Sequence, residues 1–139
     1  MDEPLGPRDL PLAWSRLPLL PRRLKPRGWK LALGTWRTAT TAYAKGDLRV
    51  ASERFLTVAE QLSGPQRGAA RRVRITGRCL AYENAGRALV AARDDAGARA
   101  LLKAAAEKDP DCQNSIALRI SRIAREAPAT VETASTSAP

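Results

Sequence analysis

The sequence predicts an all-α protein in which antiparallel helix pairs stack as a short array closed by a C-terminal capping helix. Three observations carry this expectation. Apolar residues recur at spacings of three and four from about residue 29 to 126. Aspartates stand where helices should begin, at Asp47, at Asp94 or Asp95, and at Asp109. Small and large apolar residues alternate regularly between Tyr82 and Pro110, as closely approaching helices require.

Before the helices, residues 1–28 form a separate basic arm. Pro4, Pro7, Pro11, Pro18, Pro21 and Pro26 lie within it. Proline fixes φ and lacks an amide proton, so no continuous helix or central strand fits there. Trp14 and a series of leucines sit among Arg22, Arg23, Lys25 and Arg27. These are apolar anchors for an extended segment that docks on its own helices or on a partner. The acidic opening "MDEPLGPRD" has neither the basic patch nor the apolar run of a secretory signal.

The first helix should span 29–45 and end at Gly46, a residue suited to the left-handed conformation beyond a helix C-terminus. Asp47 caps the second, whose buried stripe is Leu48, Ala51, Phe55, Val58, Ala59 and Leu62, and Ser63-Gly64-Pro65 ends it. A long third helix is expected over about 66–93 and a fourth over 96–107. Asp109-Pro110 reads as N-cap plus first helical position, because proline has no donor to lose there. The last helix, 110–126, turns Ile116, Ile120, Ile123 and Ala124 to one face. Residues 127–139 are a low-complexity tail with little to bury.

Composition removes several classes of function. The 139 residues contain no histidine, so the commonest general base and metal ligand are missing. With no glycine-rich phosphate loop and no paired carboxylates in a plausible cleft, the chain is expected not to be an enzyme and to hold no cofactor or metal. Cys79 and Cys112 are far apart and form no CxxC, so two reduced, partly buried thiols are expected, and with them a cytoplasmic location. No apolar run approaches the roughly 20 residues of a membrane span. Lys and Arg number 24 against 14 Asp and Glu, a net charge of +10. That excess suits an acidic protein surface or nucleic acid.

The third helix adds a pattern of its own. Arg67, Arg71, Arg74 and Arg78 fall at i, i+4, i+7 and i+11, one narrow stripe, while Ala69, Val73, Gly77 and Leu80 lie roughly opposite. The expectation is that the apolar side packs and the arginines face outward towards a phosphate backbone or an acidic partner.

Tyr82-x2-Ala85-Gly86-x2-Leu89, followed by Ala98-x3-Leu102, Ala105 and Pro110, resembles the tetratricopeptide repeat, a helix pair of about 34 residues. Ala51-x3-Phe55, with Ala39 and Tyr43 before it, resembles a second, degenerate copy, separated from the first by the inserted "GPQRGAARRVRIT". The resemblance covers roughly residues 32–110. It implies close contacts at Gly86 and Ala98, and a concave surface, lined by the first helix of each pair, that holds another protein. By position, Trp36 and Thr40 would line it in one copy, and Glu83, Asn84, Arg87 and Ala91 in the other. The function so implied is a non-enzymatic scaffold or adaptor within a larger assembly. The alternative is a small basic structural subunit of a ribonucleoprotein or other nucleic-acid complex. Aromatic residues make up only 4% of the chain, too few for the stacking platforms that sequence-reading of RNA uses, so nucleic-acid binding should be non-specific. Two pairs are few for a free-standing array, which the arm, self-association or a partner would close.

Overall fold

A computed structural model describes residues 25–62 and 68–123. It is an all-α array. Helices α1 (Trp29–Ala44), α2 (Leu48–Gln61), α3 (Gly68–Ala91) and α4 (Asp95–Lys108) are followed by a 3-10 turn, Pro110–Cys112. A final helix, α5, is described over 113–123. Each helix packs on the next, α1 on α2, α2 on α3 and α3 on α4, and no strand occurs among the described residues. The expected helices are all present, and their described ends lie within two residues of expectation; 66–67 and 124–126, expected in the third and last helices, lie outside the described residues. The exception is the start of the last, where Pro110 opens a 3-10 turn before the α-helix. Most of the arm, the 63–67 junction and the tail lie outside the described residues.

The chain enters α1 through Pro26 and Gly28. Gly28 is the N-cap with φ +80°, and a Cβ there would collide with the carbonyl oxygen of Gln61. Glycine is needed both for the left-handed backbone and for this close approach. Trp29, next in the chain, has Lys25 Nζ 4.7 Å and Lys30 Nζ 5.7 Å from its ring centroid. These are favourable contacts between cation and ring face.

The two helix pairs repeat at a spacing of 47 positions. Gly46 (φ +86°) and Arg93 (φ +64°) both adopt left-handed backbone. Asp47 and Asp94 follow as N-caps. The Asp47 amide donates to Ala42 O and the Asp94 amide to Leu89 O, each at 2.9 Å. The same spacing relates Ala51 to Ala98 and Phe55 to Leu102, all four without exposed surface. It also relates two buried small residues, Ala39 and Gly86. A Cβ on Gly86 would stand 2.9 Å from Leu102 Cδ1, so the expected close contact is present. In the first pair the volume is filled by Trp36 edge-on to Phe55, with centroids 5.5 Å apart and planes at 83°.

Only one of the three aspartate caps works through its side chain as well as its position. Asp94 Oδ1 accepts from the Gly97 amide at 2.9 Å. Asp47 makes no such bond. Asp109 occupies the N-cap position, but its carboxylate is turned to α3.

The cysteines correct an expectation. Cys79 on α3 and Cys112 in the 3-10 turn form a disulfide, with Cα atoms 5.2 Å apart across a sequence separation of 33. The two are not free thiols, and the ground for expecting a reducing compartment goes with them. No helix among the described residues is long and apolar enough to cross a membrane.

Candidate partner-binding surface

Arg78 occupies the point where α2, α3 and the turn before α5 meet. Its Nη1 donates to the carbonyls of Ala59, at 2.6 Å, and Leu62, at 3.3 Å. Those carbonyls belong to the last turn of α2, which has no further residues to accept from and carries the negative end of the helix dipole. Nη2 donates to Tyr82 Oη at 3.0 Å and to Asp109 Oδ2 at 2.6 Å. The Tyr82 hydroxyl donates to the same carboxylate oxygen. One guanidinium therefore caps one helix and fixes the entry to another.

The surroundings shift all three groups. Burial alone would lower the Arg78 pKa, but Asp109 and Tyr82 outweigh it and leave it raised. Burial pushes the Tyr82 phenol up, the hydrogen bond to Asp109 adds to this, and the net value is about 12. Burial would raise the Asp109 carboxyl, yet the hydrogen bonds from Arg78 and Tyr82 and the Arg78 charge hold it below its ordinary value.

Arg78 thus corrects the expectation of an outward arginine stripe: it is a buried structural residue with 7% of its surface exposed. Arg71 is exposed and lies 3.7 Å from Asp111, and Arg74 is half-buried beside it. Arg67 lies outside the described residues, as does Trp14. Both faces of α3 pack, since Val73 and Gly77 are buried as well.

Trp36 is also corrected. It is fully buried against Phe55 and offers no ring to a partner. Thr40 is half-buried and its hydroxyl donates to Arg37 O at 2.9 Å. Asn84 is buried without exposed surface. Arg87 and Glu83 are half-buried together on α3, with Arg119 Nε of α5 3.8 Å from the Glu83 carboxylate. Burial raises the Glu83 pKa while Arg119, Arg122 and Arg87 pull it the other way. Three cations thus attend one acid.

That local excess belongs to a larger asymmetry. Helices α1, α3 and α5 together carry nine Lys and Arg and one acid, Glu83, while α2 and α4 carry five and four. α2 and α4 form one layer: Leu56 and Glu60 of the first and Leu101 and Lys108 of the second line a groove of about 310 Å³ with Tyr82. The basic helices alternate with that layer. Alternate helices are therefore charged differently, a signal present in the sequence but legible only once helix boundaries are known.

No protein-family model, curated protein or solved structure matches the chain.

Proposed function

We propose that this chain is a non-enzymatic, tetratricopeptide-like scaffold or adaptor that holds another protein within a larger assembly. The observation that carries the reading is the helix-pair contact that recurs at 47 positions, with the same turn hydrogen bonds and the same Ala-x3-large packing. The period exceeds the family's about 34 residues because α3 has 24 residues where α1 has 16 and an additional junction precedes it. The partner presents acidic groups to the basic helices α1, α3 and α5, and Arg87 and Arg122 are the contacts of choice. Trp36 and Arg78 support this surface from beneath it.

The runner-up, a basic structural subunit of a nucleic-acid complex, draws on the same charge. It finds little to stack on among the described residues, because Trp36, Tyr43, Phe55 and Tyr82 are buried and Trp29 alone is partly exposed. A cytoplasmic setting fits the disulfide only if the bond is made and broken there, since reducing compartments keep ordinary disulfides open.

Binding of fluorescent poly-glutamate and of a homopolymeric RNA, each at low and moderate salt, separates the readings. The scaffold reading expects Arg87→Glu with Arg122→Glu to weaken poly-glutamate binding, and Arg99→Glu with Lys103→Glu on α4 to leave it nearly unchanged. Equal loss from both pairs, or RNA binding that survives moderate salt, sinks it.

A further inference from the structure

The disulfide stands at a junction held twice. Three residues before Cys112, Asp109 is anchored to Arg78 and Tyr82 without help from sulfur. Beyond Cys112, α5 rests on the core through Ile116 and Ile123, with Ile120 packed beside them, and through the Arg119–Glu83 pair. The covalent bond is the link between a firmly held turn and a helix attached by one apolar edge and one ion pair. If it opens, the chain up to Asp109 keeps its contacts with Arg78 and Tyr82, and α5 keeps only that edge and the Arg119–Glu83 pair.

The two sulfurs sit in unequal surroundings. Cys79 is 9% exposed and Cys112 1%. A small cleft beside Cys112 is bounded by Arg74, Arg78, Asp109 and Asp111. In it Arg78 is committed to Asp109, and Asp111 lies against Arg71. Arg74 is left with a buried Nε that has no hydrogen-bond partner among the described residues. A thiolate formed on Cys112 would share this cleft with a guanidinium whose Nε is unpartnered among the described residues. Cys112 also immediately precedes α5, whose first amides favour negative charge. Both effects stabilise the thiolate, and a stabilised leaving thiolate speeds exchange and makes the bond easier to reduce.

We propose that the Cys79–Cys112 disulfide is a reducible latch on α5, opened by a dithiol reductant. A thiolate of the reductant attacks Sγ of Cys79, the more exposed cysteine, and the S–S bond breaks with its electron pair leaving on Cys112 Sγ, in the cleft that Arg74 also lines. The second thiol of the reductant then attacks its own sulfur in the mixed disulfide and releases the Cys79 thiolate. The reductant becomes a disulfide, two electrons pass to the protein, and the two protons shed by the reductant balance those taken up by the protein thiols. Opening frees α5 while α1 to α4 stay folded.

The test uses the full chain equilibrated without denaturant in buffers of varied reduced and oxidised dithiothreitol. Thiol alkylation reads the fraction open, and hydrogen exchange reads each helix. The expected result is full reduction under native conditions, with exchange in 113–123 accelerated several-fold and exchange in α1 and α2 unchanged. Cys79→Ser with Cys112→Ser should show the same exchange pattern at every buffer ratio. Arg74→Gln should shift the equilibrium several-fold towards the disulfide and slow its opening. A bond that opens only in denaturant overturns the proposal. So does reduction that leaves 113–123 protected, reduction that unfolds all helices together, or an Arg74→Gln protein with unchanged rate and equilibrium.

Discussion

Asp109 and Arg78, 31 positions apart, meet at 2.6 Å, and the aspartate that should cap the turn before α5 instead holds the guanidinium that caps α2. Position and side chain of Asp109 thus serve different helices. The pair is mostly withdrawn from water, the Arg78 side chain being 8% exposed and that of Asp109 22%. Breaking one side of such a pair leaves the other uncompensated, at a cost of about 3 kcal/mol or more. Arg78→Met should lower the urea midpoint accordingly, and Arg78→Lys should recover little, because a single nitrogen cannot span the positions that Nη1 and Nη2 of the planar fork reach separately.

The depressed Asp109 carboxyl sets the acid response. A group whose folded pKa lies below its unfolded value contributes stability that is present above the unfolded value and lost as pH falls through the folded one. Stability from this site should therefore persist at neutral pH and fade below about pH 4. Glu83, raised by burial, has the opposite sign: its cost is present above its folded pKa and disappears on acidification. Denaturant midpoints measured across the acid range should show Asp109→Asn flattening the fall. Glu83→Gln should raise the neutral-pH midpoint relative to the acid one.

Tyr82 controls the alkaline side. Its phenol is pushed up to about 12, so the folded state favours the neutral hydroxyl. That contribution is complete below about pH 10 and lost between there and pH 12, on the order of 2 kcal/mol. Tyr82→Phe should remove the alkaline loss, and phenolate absorbance should rise late in the native protein and at the ordinary pH in urea.

Gly46 and Arg93 hold the same left-handed turn, and only one is the residue that such backbone prefers. Arg93→Gly should stabilise by roughly 0.5 to 1 kcal/mol, and Gly46→Ala should cost about 1 to 2 kcal/mol. Gly28→Ala should cost more than either, about 2 to 4 kcal/mol, because the Gln61 carbonyl stands in its way. Melting temperatures of the three variants in that order would support the turn correspondence; equal effects at all three would dissolve it.

Ala98 has no exposed surface in the contact between α3 and α4. Ala98→Leu should overpack it and cost about 1 to 3 kcal/mol. An unchanged melting temperature would mean that the repeated small-residue spacing does not specify the contact.

Helix boundaries were legible because caps, glycines and apolar spacing are local signals, and the α2 stripe is buried from Ala51 to Leu62 as its spacing required, with Leu48 half-buried at its start. Arg78 was not legible. A stripe at i, i+4, i+7 and i+11 describes one line on a helix but not which way the line faces. What decides it is where the C-terminus of α2 ends, a fact of tertiary structure. Trp36 failed for the same reason: the first helix of a pair has an inner and an outer face, and a bulky ring gains more by burial against Phe55. The disulfide was invisible because a separation of 33 residues carries no distance until α4 doubles back and brings Cys112 to Cys79.

That doubling back has a mechanical meaning. The bond closes a loop that contains all of α4, so tension applied to the two ends of the chain bypasses residues 79–112. About 110 Å of contour length is shielded from force while the bond is intact. An array pulled by its attachments would give way outside the loop, at α1, α2 or α5, and α4 would bear no tension while the bond held.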